Sequence, residues 1–134
     1  MKTDAMKTKV LLIEDNEQNR YLATFLLEQH HCAVTHAWDG PAGLELATRE
    51  RFDLILLDIQ LPGMDGHAVA RALRAHPALG KVPIVAVTSY AMVGDREKAL
   101  AAGCDGYLEK PINPATFVTD VRRHLRRFGE GDTP

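Results

Sequence analysis

The sequence predicts an α/β fold, an open parallel sheet covered by helices on both faces, and three observations predict it. The run Leu54-Ile55-Leu56-Leu57 is apolar at consecutive rather than alternate positions, the pattern of a strand buried on both sides. Val82-Pro83-Ile84-Val85-Ala86-Val87-Thr88 repeats it, with Pro83 tolerable because it lies at the beginning, and segments of helical periodicity separate the β-prone runs. The apolar strands also end in polar residues: Glu14 and Asp15 after Val10-Leu11-Leu12-Ile13, Asp58 after Leu57, and Thr88 after Val87. In open parallel sheets ligands bind at that end, where the loops diverge.

The elements follow in order. Asn16 caps a first helix on which Leu22, Phe25 and Leu26 fall at helical spacing and which the polar stretch Glu28 to His31 ends. Ala33 to Ala37 is β-prone but less apolar, as suits an edge strand, and Asp39-Gly40-Pro41 opens a helix reaching about Arg51. After the strand 53–58 and the loop Leu61 to Gly66 comes a helix with Val69, Ala72 and Leu73 inward, closed by His76-Pro77. Past the strand 82–88, Asp95 to Ala102 is a helix stopped by Gly103, and Asp105 to Glu109 is a short last strand. A final helix from about Pro114 sets Phe117, Val121, Leu125 and Phe128 on one side and leaves Arg122, Arg123, Arg126 and Arg127 mostly outside.

Right-handed crossovers then build a flavodoxin-like (βα)5 three-layer sandwich of strand order 2-1-3-4-5. That order puts the first and third strands side by side at the switch point and leaves the second and fifth as edges. Residues 9–128 form one domain, with an N-terminal extension at 1–8 and a disordered tail at 129–134.

Composition narrows the function. Lys+Arg 16 against Asp+Glu 18 gives a net charge of −2, so no field of the whole molecule favours nucleic acid or anionic membranes. The arginines of the last helix suit a helix C-terminus, and no aromatic residue interleaves with them. No run reaches membrane-spanning length and no secretory leader is evident, so a cytoplasmic protein with no output domain after residue 128 is expected. Cys32 and Cys104, far apart and in no paired spacing, read as reduced core thiols.

Asp58 alone would pass for a turn residue. Two adjacent central strands, however, bring Glu14, Asp15 and Asp58 together, and clustered acids raise one another's pKa unless a hard divalent cation with oxygen ligands offsets them.

Four segments then resemble response-regulator receiver domains: Ile13-Glu14-Asp15-Asn16, Leu57-Asp58-Ile59-Gln60-Leu61-Pro62-Gly63-Met64-Asp65-Gly66, Val87-Thr88-Ser89 and Leu108-Glu109-Lys110-Pro111. The resemblance covers residues 9–128, and Asp15 to Asn19 with Ala91 to Asp95 look most like single-domain regulators of the DivK type and receivers attached to hybrid histidine kinases. It implies that Asp58 accepts a phosphoryl group from a phosphohistidine of a histidine kinase or histidine phosphotransferase. Glu14, Asp15, Asp58 and the Gln60 backbone carbonyl would hold Mg²⁺, Lys110 would meet one phosphoryl oxygen, and the Thr88 hydroxyl another. Tyr107 would turn inward as Thr88 moves, altering a face made by the fourth helix, fifth strand and fifth helix, to which a downstream protein binds. A cis bond before Pro111 would aim the lysine inward. Gln60 and Tyr90 flank the position of the hydrolytic water and are expected to tune the lifetime of the acyl phosphate; Tyr90 reads equally well as an exposed loop residue.

Two other functions compete. A Mg²⁺-dependent phosphatase with an Asp nucleophile would need a second acid two residues on, where Gln60 stands. A flavin or nucleotide binder would need a glycine- or hydroxyl-rich phosphate loop after the first strand, where acids stand instead.

Overall fold

The computed structural model describes residues 7–61, 63–89 and 93–130, with the side chains of 125–130 excepted. Five parallel strands, β1 (Thr8–Ile13), β2 (Cys32–Ala37), β3 (Leu54–Asp58), β4 (Ile84–Thr88) and β5 (Gly106–Glu109), lie in the order β2-β1-β3-β4-β5. Between and after them run α1 (Glu17–Glu28), α2 (Gly40–Arg49), α3 (Gly66–Ala75), α4 (Asp95–Ala101) and α5 (Phe117–Glu130). The predicted order and edge strands are those observed.

The sheet divides the core in two because successive side chains of a strand point to opposite faces. Leu11, Ile13, Ile55, Leu57, Ile84 and Ala86 face α2 and α3, where Val69, Ala70 and Leu73 cover them. Val10, Leu12, Leu54, Leu56, Val85 and Val87 face α1 and α5, where Ala23, Leu27, Phe117, Val118 and Val121 cover them. Every residue of β3 and β4 is buried, which is why neither run alternates with polar residues. Cys32 and Cys104 are buried and free, and burial pushes the Cys104 thiol up to about 11, as befits small unreactive core residues.

Side-chain caps set the helix starts. Asn16 accepts from the Asn19 N–H at 2.8 Å, Asp39 from Ala42 at 2.9 Å, and Asp65 from His67 at 3.1 Å. Gly66 is there for closeness: a Cβ would stand 2.5 Å from the Ile59 Cα, so only glycine lets the loop after β3 close, with the Gly66 N–H on the Ile59 carbonyl at 3.1 Å.

The structure corrects three details. The buried line of α1 is Arg20, Ala23 and Leu27, whereas Phe25 is 48% exposed and stacks on Tyr21, so the helix is rotated from the expected face. The cause is polar: Arg20 turns in to reach main-chain carbonyls at the end of β1. On α3, Ala70 is buried and Ala72 only half so. Finally, α5 extends to Glu130, past the residue 128 expected to end it. Phe117 and Val121 point inward as expected, Arg122 and Arg123 are exposed, and Arg122 donates to the His30 carbonyl at 2.6 Å. The side chains of Leu125, Arg126, Arg127 and Phe128, and residues 131–134, lie outside the described residues.

Candidate functional site

Strand register assembles the site. Ile13 pairs with Leu57, so Glu14 and Asp58 leave the sheet side by side, and Asp58 pairs with Val87, so Thr88 follows one residue beyond. Neighbouring strands lie about 4.8 Å apart, which makes residues remote in sequence adjacent in space. Glu14, Asp58 and Thr88 are 4%, 3% and 1% exposed, and Asp15 stands at the solvent edge. Carboxylate oxygens of Glu14, Asp15 and Asp58 all lie within 4.8 Å of one another.

Lys110 enters from the end of β5. Its N–H donates to the Thr88 carbonyl at 2.7 Å, its bond to Pro111 is cis, and its ammonium lies 2.7 Å from Glu14 Oε1 and 3.4 Å from Asp58 Oδ2. All the acids and the lysine singled out in the sequence therefore meet in one pocket.

Three carboxylates against one ammonium leave the pocket with surplus negative charge. Burial pushes the Asp58 carboxyl up to about 7, and the adjoining Glu14 carboxyl adds to the rise through a shared hydrogen bond and its charge. The Gln60 N–H, donating to Asp58 Oδ1 at 2.9 Å, and the Lys110 charge act the other way and only partly offset it. A further cation bound among these oxygens would remove the cost of ionising Asp58.

Several supporting contacts escape the sequence reading. The Asn16 N–H donates to Glu14 Oε2 at 3.1 Å. The Gln60 carboxamide spans the pocket mouth, donating through Nε2 to the Thr88 hydroxyl and accepting from the Ser89 N–H at 2.9 Å. The Arg20 guanidinium donates to the Glu14 and Asp15 carbonyls, and the Trp38 ring lies over it at 5.0 Å. A signal for Arg20 existed, since it stands three and seven residues before Ala23 and Leu27 on the buried line of α1.

Tyr107 already points inward: its ring packs against the core on the α3 side, and its hydroxyl is buried without a hydrogen-bond partner among the described residues. Burial, with Asp95 and Glu109 nearby, raises its pKa. Tyr90 lies outside the described residues.

Residues 10–122 match the response regulator receiver domain. The chain belongs to that family. This receiver domain is 38% identical to the polar-differentiation response regulator DivK of Brucella anthropi over 120 residues, 90% of this chain and 98% of that one. It is 39% identical over 130 residues, 95% of its own length, to hybrid signal transduction histidine kinase G of Dictyostelium discoideum, of which it spans only 4%. The receiver domain of sensor histidine kinase PA1611 from Pseudomonas aeruginosa PAO1, 37% identical, superposes with a TM-score of 0.82 over 90% of this chain and 98% of that one; its crystal structure has a magnesium ion coordinated in the active site cleft. Chemotaxis response regulator CheY4 of Vibrio cholerae, 30% identical, gives 0.84 over 88% and 98%. The fold is thus the CheY-like form of the flavodoxin-like sandwich. Among the described residues no helix is long and apolar enough to cross a membrane.

Proposed function

We propose that this receiver domain is a cytoplasmic phosphorylation switch that acts by binding other proteins. Asp58 takes a phosphoryl group from a phosphohistidine of a sensor kinase or histidine phosphotransferase, and the domain catalyses only its own phosphorylation and dephosphorylation. The observation that carries this reading is the convergence of Glu14, Asp15 and Asp58 oxygens within 4.8 Å of one another, with the Lys110 ammonium 2.7 Å from Glu14.

The donor set fits Mg²⁺. Hard carboxylate oxygens suit it, and burial, with the adjoining Glu14 carboxyl adding to it, raises Asp58 to about 7, a cost of ionisation that a divalent cation would offset. Glu14, Asp15 and Asp58 would hold it, with the Gln60 backbone carbonyl as a further ligand. Bound there, the ion would supply electrostatic stabilisation for a transferring phosphoryl group.

The chain's own residues do the rest. An Asp58 oxygen attacks phosphorus, the phosphorus–nitrogen bond breaks, and its electron pair returns to the donor imidazole. Lys110, held against Glu14 and Asp58, is placed to pair with a phosphoryl oxygen. Thr88, at the end of the adjoining strand, can donate its hydroxyl to another once it leaves Gln60. Rearrangement of Thr88 next to the inward Tyr107 would alter the surface of α4, β5 and α5, the face read by the downstream protein. Gln60 and Tyr90 tune the lifetime of the acyl phosphate.

Incubation with Mg²⁺ and acetyl phosphate tests this. Label is expected as an acid-stable, base-labile carboxyl phosphate, and Asp58→Asn should abolish it. A chain that takes no label from acetyl phosphate, other small donors or phosphorylated kinases is not a phosphorylation switch.

A further inference from the structure

Among the three acids, Asp15 is the least well held. Glu14 is tied by Lys110 and the Asn16 N–H, and Asp58 by the Gln60 N–H and Lys110. Among the described residues, no hydrogen bond or ion pair holds the exposed Asp15 carboxylate. Its direction depends on the backbone.

Arg20 controls that backbone. The Glu14 and Asp15 carbonyls belong to the two peptide planes that flank the Asp15 Cα, and Arg20 Nη1 donates to both at 2.9 Å. Two planes fixed by one donor set φ and ψ between them, and with them the Cα–Cβ direction. Arg20 is nine-tenths buried, on the inner line of α1 with Ala23 and Leu27, so the helix positions its guanidinium. Its outer face is covered by Trp38, which follows β2 directly, is 59% exposed, and has its ring centroid 5.0 Å from the Arg20 Cζ. Neither side chain offers a ligand to a metal ion.

We propose that Arg20, braced by Trp38, is a positioning residue for the cation site, aiming the Asp15 carboxylate through its main chain. This rests on the reading of the acidic cluster as a Mg²⁺ site. It makes two demands of Arg20: a charge that offsets the acids, and a planar fork that serves two carbonyls at once. Lysine can meet only the first well.

The test is a calorimetric titration of the full chain with Mg²⁺ alone. Trp38 is the sole tryptophan, so its emission gives a second signal wherever it is retained. Arg20→Gln is expected to bind Mg²⁺ about tenfold more weakly, the size of effect typical for groups that orient metal ligands. Arg20→Lys should recover part of that loss, and labelling of Arg20→Gln by acetyl phosphate should approach the parent's once Mg²⁺ is saturating. Trp38→Ala should weaken Mg²⁺ about threefold, as loss of an exposed cation–π contact implies. Because that ring is largely in solvent, the variant remains informative if Arg20→Gln does not fold. Mg²⁺ affinities of Trp38→Ala and of folded Arg20→Gln that equal the parent's would overturn the proposal, leaving Arg20 a purely structural cap. A parent that binds no Mg²⁺ at millimolar concentration would overturn both this proposal and the cation reading beneath it. Intact Mg²⁺ binding that responds to Arg20 but no labelling of Asp58 would uphold the positioning role and defeat the switch instead.

Discussion

The two ends of the sheet treat charge in opposite ways. At the amino end, Arg74 donates to the carbonyls of Gly103, Leu79 and Val82 at 2.8, 2.9 and 2.6 Å and pairs with Asp105. Asp105 in turn accepts from the Ile84 N–H at 2.9 Å, and Asp53 accepts from Lys9 at 2.8 Å. Each of these carboxylates has a matching donor. At the carboxyl end, oxygens of Glu14, Asp15 and Asp58 lie within 4.8 Å of one another, the Lys110 ammonium pairs with Glu14 and Asp58, and the Arg20 guanidinium stands behind the main chain. The first cluster is complete by itself and holds loops; the second is left short of positive charge and is complete only with a ligand. Local incompleteness separates a working site from a structural clasp better than the presence of charge does.

The largest expected effect comes at the incomplete end. Asp58→Asn should abolish phosphorylation while raising the unfolding midpoint of the metal-free chain, because it removes a buried acid forced beside Glu14. A scanning-calorimetry midpoint below the parent's would contradict the view that this pocket is strained. The matching change at the complete end should do the reverse. Arg74→Ala strands Asp105 and three carbonyls, at a cost of about 2 kcal/mol after allowing for partial exposure, yet should leave Mg²⁺ affinity unchanged. Urea unfolding and Mg²⁺ titration of one sample check both halves.

Acidity sharpens the contrast further. The folded-state pKa of Asp58 is raised from 3.8 to about 7, so between those values the folded chain binds more protons than the unfolded one. Stability from this group is therefore fully present at low pH and is lost as pH rises through about 7 in the absence of metal. Added Mg²⁺ should consequently raise the thermal midpoint more at pH 8 than at pH 5, where protons compete for the same oxygens. Equal shifts at the two pH values would mean that Asp58 is not among the ligands.

The smallest effect concerns Gln60. Its carboxamide holds the Thr88 hydroxyl and the Ser89 N–H, and removing that competitor by Gln60→Ala should tighten beryllofluoride binding about fivefold, the equivalent of one hydrogen bond. Fluorescence titration with beryllofluoride reads this directly.

The sheet and the acids were legible because each depends on local rules. Consecutive apolar residues at 54–57 announce a doubly buried strand, and parallel pairing then forces the residues after Ile13 and Leu57 together. Lys110 was legible through its motif, since nothing about a lone lysine foretells an ammonium 2.7 Å from Glu14. Arg20 carried only its spacing from Ala23 and Leu27, a signal outweighed by the rule that a cation on an amphipathic helix ordinarily marks the solvent face. Here the carbonyls at the end of β1 outweigh that rule, and the same pull exposes Phe25. The Gln60 clasp depends on a contact with Thr88 28 residues away, which no local pattern encodes.

Asp58 is the last residue of a strand in which every position is buried. Interiors packed at that density barely deform, so a bulky anion attached there meets an anvil. Whatever adjustment it demands must be taken up by the connecting loops, so amide exchange should stay slow through β1, β3 and β4 on activation and change chiefly in the segments that follow them.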